Sequence, residues 1–423
     1  MTATTASLDV AASRKLISLV RGCALWFGVF LSGFVLAEPA PYEIYMAALI
    51  GIWVVFGLVV PRSAVFVLLL LAGFNLGGVI SMFQMTDWGD APLYLAVSMF
   101  LGLTAVFLAA VIATDDRNLR LVFGGWTAAA TLTGLLGIAG YLSLLPGSEQ
   151  FTLHGRARGV FEDPNVFAPY LVLPAIYSLH RLLTDRAARL AGPATALAVL
   201  SLAIFLSFSR GGWALMAACV AMLVFTVALS NRSGRFRLRL LLLATLTLAT
   251  LAAGLAIALQ FETVRDLFVE RAQLVQDYDA GRYGRFGRHW FGLLSAMEHP
   301  LGIGPLEFGK TYGEDTHNIW LKALFDYSWL GFAAYLTLVV ATIAGGLRIL
   351  FRKRPWQAFL QCAFVVFVGH VALGMIIDTD HWRHFYVLLG IVWGCIALEA
   401  QTAREPKAPA RAASQSAVVQ SAP

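Results

Sequence analysis

RYGRFGRHWFGLLSAMEHPLGIGPLEFGKTYGEDTHN, Arg282 to Asn318, is the one long polar stretch in a chain that otherwise reads as one apolar run after another. It carries Arg282, Arg285 and Arg288, a Gly/Pro-rich turn from Pro300 to Pro305, and the pair His317 and Asn318, where the next apolar run begins. The contrast between this stretch and its flanks decides the fold. Of 423 residues, 59% are hydrophobic and 13% charged, and the mean hydropathy is +0.73. Soluble domains carry roughly 25% charged residues, so much of a soluble polar shell is missing. The chain reads as an all-α, polytopic integral membrane protein. Its net charge of +6 sits in short loops between apolar runs. There it sets topology and does not mark a nucleic-acid surface.

A helix needs about 20 apolar residues to cross a bilayer. That ruler predicts about 12 transmembrane helices, near 16–37, 43–60, 63–83, 92–113, 120–144, 165–183, 193–208, 211–230, 238–260, 317–349, 355–378 and 383–400. Backbone groups cannot stay unpaired in lipid, and no stretch has the short alternating pattern of a barrel strand. The first run is long enough to span and is expected to remain as a helix. Residues 1–403 are read as one membrane domain with a large periplasmic insert at 261–316. Residues 404–423, rich in Ala, Pro, Ser and Gln, read as a disordered cytoplasmic tail. Within the insert, the apolar spacing between Thr263 and Gln276 predicts an amphipathic helix. A second short helix, from His289 to Met297, is expected to lead into the HPLGIGP turn.

Lys and Arg place both termini inside. Every loop assigned to the inner side is basic, as at Arg14 and Lys15, Arg62, Arg117 and Arg120, or Arg352 to Arg354. The short outer loops at 38–42 and 84–91 hold no Lys or Arg. Three outer regions break the rule. The loop at 145–164 carries Arg156 and Arg158, the SFSRGGW turn carries Arg210, and the insert carries Arg265, Arg271, Arg282, Arg285, Arg288 and Lys310. An anion handled on that side accounts for them. The alternative, strongest for Arg265 and Arg271 but second to the anion even there, is ion pairing within the insert, with Glu262, Asp266, Glu270, Asp277 and Asp279 nearby. Cys23, Cys219, Cys362 and Cys395 lie in apolar runs with no CxxC or Cys/His cluster, so the sequence offers no disulfide or metal framework.

Four patterns, taken together, resemble the O-antigen ligase and O-antigen polymerase superfamily of polytopic glycosyltransferases, of the membrane fold class called GT-C. They are RARGVFEDPNVFAPYL (Arg156–Leu171), SFSRGGW (Ser207–Trp213), GRFGRHW with HPLGIGPLEF (Gly284–Phe308), and HNIWLKALFDYSWLG (His317–Gly331). The likeness covers about 150–335, and the first five spans match only as generic membrane helices. In the last pattern Ser328 stands where the family has the first glycine of a pair, while Gly331 matches. A small residue there is expected to preserve close helix packing.

The resemblance implies an inverting, metal-independent enzyme that takes no cofactor. It would move a glycan from undecaprenyl pyrophosphate to a sugar hydroxyl at the periplasmic face of the bacterial inner membrane. The acceptor would be lipid A core in an O-antigen ligase, or a growing polysaccharide in a polymerase of O-antigen or exopolysaccharide. Arginine suits a pyrophosphate leaving group because its planar fork holds two oxygens and keeps its charge. The candidates are Arg158, Arg210, Arg285 and Arg288. Arg285 and Arg288 compete for one family role, with Arg282 in support. His317 would take the acceptor proton, since a neutral imidazole accepts a proton near pH 7.

Asn318 and Asn165 are supporting candidates. Asn165 is equally well read as part of a helix start capped by Asp163 or by itself. Glu162 would orient Arg158 or serve as an alternative base. His299 reads as structural. Lys322, about a turn and a half beyond His317, can face the same cavity, and intramembrane His370 is a suspect by position. Asp378, Asp380 and His381 occupy the outer turn between the last two spans, where they could line the same site, and the reading preferred for them is a turn ion-paired with Arg383. Trp290 is the aromatic to test for stacking on a sugar.

A different class, a twelve-helix secondary transporter or a carrier of lipid-linked glycans, also fits the composition. Transporters, however, place charges at the midplane and repeat their halves. Here the unexplained charges lie in loops and the halves differ.

Overall fold

The computed structural model describes residues 2–36, 39–231 and 284–404, with isolated positions between 233 and 265. Eight helices precede the insert: α1 (Thr2–Leu31), α2 (Pro41–Val55), α3 (Arg62–Met82), α4 (Ala91–Thr114), α5 (Asn118–Tyr141), α6 (Pro164–Thr184), α7 (Ala191–Leu206) and α8 (Arg210–Ser230). A two-residue antiparallel ladder joins β1 (Thr152–Leu153) to β2 (Arg156–Ala157). Six helices follow: α9 (Arg285–Glu298), α10 (Glu307–Tyr312), α11 (Ile319–Phe325), α12 (Ser328–Ile349), α13 (Gln357–Leu373) and α14 (Arg383–Thr402). Seven of the described helices are long and apolar enough to cross a membrane, and α2, α7 and α13 are shorter apolar helices. The protein is thus an all-α, multi-pass membrane protein. The expected span at 238–260, the amphipathic helix at 263–276, Arg282 and most of the tail lie outside the described residues.

In lipid, helices associate through close packing, so small residues mark the seams. Antiparallel α3 and α12 meet where a Cβ on Gly77 would lie 2.0 Å from the Tyr327 carbonyl oxygen and 2.5 Å from the Gly331 nitrogen. α4 runs beside α14, with Ala105 backbone against Gly390 and Ile112 against Gly394. Both of these helices begin at the same end of the bundle, where Tyr94 meets Asp380 and His381. A buried polar tie joins α1, α5 and α6: Trp126 Nε1 donates to the Tyr170 carbonyl at 3.0 Å, and the Tyr170 and Ser32 hydroxyls lie 3.0 Å apart.

Two expected elements differ. The second insert helix starts at Arg285, four residues earlier than expected. The single span expected at 317–349 is two helices, α11 and α12, broken at Asp326 and Tyr327. Neither glycine nor proline marks this break. It is held by a distant segment: Phe325 carbonyl accepts from Ile303 N at 2.8 Å and from Ser81 Oγ at 3.0 Å, and Trp329 N donates to Pro300 carbonyl at 3.1 Å. The HPLGIGP turn thus fills the gap. Gly302 takes a φ of +86°, and a Cβ there would strike Ser81 Oγ at 2.1 Å, so that position requires glycine on two counts.

Candidate active site

The outer segments singled out by sequence meet at one end of the bundle. Near the start of α6, Asp163 caps the helix by accepting from Asn165 N at 2.7 Å. Asn165 Oδ1 accepts from Arg156 Nη2 at 2.8 Å, and Arg156 Nε donates to the Ser207 carbonyl at 2.8 Å. Arg156 therefore ties the 145–164 loop to the SFSRGGW turn. Arg158 instead braces its own loop, donating from Nε and Nη2 to the Gln150 carbonyl and from Nη1 to the Glu162 carbonyl. From the RAR triplet alone, no signal separates the two arginines, and only Arg158 is among the pyrophosphate candidates.

The SFSRGGW turn starts α8, where Ser209 Oγ accepts from Gly212 N at 3.2 Å and Arg210 is the first helical residue. A Cβ on the adjacent Gly211 would meet Leu373 at 3.0 Å, and the next residue, Gly374, accepts at its carbonyl from Ile319 N at 2.9 Å. This places the start of α8 beside the start of α11. There Asn318 is the N-cap, its Oδ1 accepting from Trp320 N and Leu321 N at 3.0 and 3.2 Å.

His317 precedes that cap with a φ of +51°. Side chains with a Cβ rarely adopt this left-handed region, and such strain clusters at functional positions. Its imidazole is 37% exposed, with Nδ1 3.5 Å from Asp378 Oδ2.

α9 lies across α11. Gly292 allows the contact, since a Cβ there would be 2.8 Å from Thr316, the residue before His317. Arg288, one turn earlier on the same face, is buried and donates from Nη1 to Glu314 Oε2 at 2.6 Å. Its partner is open to solvent, with the two side chains 6% and 64% exposed. Arg288 Nε is buried with no hydrogen-bond partner among the described residues. Arg285 opens α9, three residues before Arg288.

Behind His317 is a cluster of acids around one lysine. The buried Lys322 ammonium lies 2.8 Å from Asp315 Oδ2, 3.9 Å from both Asp326 Oδ2 and Asp378 Oδ2, and 5.2 Å from the Tyr94 ring centroid. Asp380 Oδ2 accepts from the Tyr94 and Tyr327 hydroxyls at 2.5 and 3.2 Å and sits 3.1 Å from His381 Nδ1. The expected ion-paired turn with Arg383 is corrected here. Arg383 Nε pairs with Glu43, and Asp378 faces Lys322 and His317.

Burial works against charge on Lys322, yet the carboxylates of Asp380, Asp378 and Asp315 hold its pKa well above the lysine value. Burial also opposes ionisation of Asp380, but Lys322 and His381 keep its carboxyl well below the ordinary range. Asp326 goes the other way, pushed well above it by burial against the pull of Lys322. Burial thus favours the neutral form of Asp326, the deepest acid of the cluster. Elsewhere, His299 bonds locally to the Ser295 carbonyl, His370 is fully buried in α13 against the Val366 carbonyl, and Trp290 is exposed. No group of three or more metal-ligating side chains occurs among the described residues.

At one end of a many-helix membrane bundle the chain thus sets a strained histidine, a carboxylate beside it and a buried arginine. Residues 195–336 match the family model described as O-antigen ligase, which supports placing the chain in the O-antigen ligase and polymerase superfamily. The matched stretch contains the SFSRGGW, insert and HNIW patterns. It excludes Arg156–Leu171 and the Asp378 turn. No curated protein matches the chain.

Proposed function

We propose that the protein is an inverting glycosyltransferase. It would move a glycan from undecaprenyl pyrophosphate to a sugar hydroxyl at the periplasmic face of the inner membrane, as an O-antigen ligase or a polysaccharide polymerase. The observation that carries this reading is His317, strained and half-open, with Asp378 behind it and Arg288 one helix turn from its flank. The acceptor hydroxyl oxygen attacks the anomeric carbon while the bond from that carbon to the phosphate oxygen breaks. The pyrophosphate leaves with the electron pair, and the hydroxyl proton passes to His317 Nε2. The resulting imidazolium is paired at Nδ1 by Asp378. One displacement inverts the anomeric centre.

Arg288 exchanges its exposed partner Glu314 for a phosphate oxygen, and Arg210, at the start of α8, and Arg285, at the start of α9, are the further pyrophosphate candidates. A positioned donor aimed at leaving-group charge is worth most in a partly dry site. Arg158, Glu162 and Asn165 keep the facing loop in shape, and Asn318 fixes His317 by capping α11. The acceptor, lipid A core or a growing polysaccharide, is decided by giving purified protein a lipid-linked glycan with each acceptor separately. Transfer to one of them supports the reading, and transfer to neither, with intact donor, overturns it.

A further inference from the structure

At the opposite end of the bundle is a cavity of about 1390 Å³ between the second half of α1, the end of α2 and the loop after it, the end of α4 and the start of α5. α4 links the two ends. It begins near Asp380 and reaches the cavity at Thr114, and its 24 residues span roughly 36 Å at 1.5 Å per residue, about a bilayer. Three arginines, Arg21, Arg117 and Arg120, line this cavity against one acid, Asp115. Asp115 Oδ1 accepts from the Arg117 backbone N at 2.8 Å. Among the described residues, no carboxylate lies within ion-pair distance of any of the three guanidinium groups. The Arg21 guanidinium covers the Trp53 ring at 5.3 Å, which occupies a face of the group and leaves its N–H edges for another partner.

The rest of the wall is mainly aliphatic and aromatic, with Ser18, Thr114 and Asn118 as its neutral polar members, and much of it is open, with Leu19, Phe56 and Val59 each more than 60% exposed. A second cavity, about 640 Å³, shares Arg120 and continues down α5 past Gly124, Thr127, Thr131 and Leu135 to the α6 side, where Arg181 sits. Arg120 to Leu135 covers about 22 Å of helix, enough for an acyl chain within one leaflet. Arg181 already has a partner in Asp185 at 3.0 Å. The unbalanced cations are therefore Arg21, Arg117 and Arg120.

We propose that this cavity binds an anionic phospholipid of the cytoplasmic leaflet, its phosphate held by Arg21, Arg117 and Arg120 and one acyl chain lying along α5. A compact soluble anion would find the charge but leave the oily walls uncovered. A zwitterionic lipid would cover the walls but bring no net negative charge. Basic pockets on the cytoplasmic side of membrane bundles favour anionic head groups, with each arginine near the surface contributing about fivefold in affinity.

The test is native mass spectrometry of the full chain released from nanodiscs of phosphatidylglycerol and phosphatidylcholine in equal amounts. Wild type should retain one phosphatidylglycerol and little phosphatidylcholine. The Arg21→Gln/Arg117→Gln/Arg120→Gln variant should lose that adduct by at least tenfold. Adding inorganic phosphate should not displace it. Equal retention of both lipids, an adduct that survives the triple substitution, or displacement by inorganic phosphate each overturn the proposal. Should the triple variant fail to fold, Arg120→Gln alone is expected to weaken retention about fivefold, and unchanged retention there refutes the site.

Discussion

The two ends of this bundle treat charge in opposite ways. At the candidate active site the charges answer one another: buried Lys322 has Asp315, Asp326, Asp378 and Asp380 around it, and buried Arg288 reaches the exposed Glu314. At the other end Arg21, Arg117 and Arg120 are exposed around an open cavity with a single acid in its wall. Taking a charge out of water is costly unless partners are close, so the first arrangement holds geometry and the second waits for an anion from outside. Charge count alone would rank the arginine-rich end as the more reactive. The buried network, with its strained histidine, argues for the other.

The sharpest way to break this contrast is to remove the centre of the network. Lys322→Ala leaves carboxylates buried without a cation and should destabilise the protein by about 3–5 kcal/mol, seen as a lowered Tm in detergent. Lys322→Ala combined with Asp380→Asn should recover part of the loss. An unchanged Tm in the single variant would mean that the lysine is not the keystone.

Next in size is the leaving-group arginine. Arg288→Ala should lower kcat/KM for the pyrophosphate donor by roughly 10²-fold or more, with a smaller effect from Arg158→Ala because Arg158 bonds to loop carbonyls. Equal effects from the two would erase the distinction drawn between them.

A smaller effect is expected from pH. Asp326 has a folded pKa raised above its unfolded value near 4. Its contribution to stability is therefore full below about pH 4 and falls as pH rises toward the folded pKa. Asp326→Asn, which imitates the protonated acid, should flatten this decline and leave neutral-pH stability equal or higher. A steeper decline in the variant would show that Asp326 is ionised. Smallest is Ser328→Gly. The φ of +61° at Ser328 costs a residue with a Cβ about 1–2 kcal/mol, so glycine should raise stability by about 1 kcal/mol. A fall in Tm would show that the Ser328 hydroxyl matters more than the backbone.

Ser328 also shows what the sequence could convey. Its place in the final motif was legible, and the close packing of α3 on α12 beside it is present at Gly77 and Gly331, but the left-handed backbone at Ser328 itself was not foreseen. The backbone turns left-handed at Ser328, where α11 gives way to α12, and that break is held by hydrogen bonds from Ile303 and Ser81, far away in sequence. Apolar periodicity, read locally, extended one helix through it. The all-α membrane class was fully legible, since composition and run length determine it. That the 145–164 loop, the SFSRGGW turn and the end of the insert lie at one end of the bundle was legible from the arginines they share. The Asp378 contact was not, because a turn between the last two helices gives no local sign of which cation it will face.

The central claim is that His317 takes the acceptor proton in a glycan transfer. The direct measurement is transfer from a lipid-linked pyrophosphate glycan by purified wild type and His317→Ala, with folding checked by Tm. The account predicts a fall of at least 10²-fold in kcat with Tm within a few degrees of wild type. Transfer at the wild-type rate by a folded His317→Ala protein would contradict it.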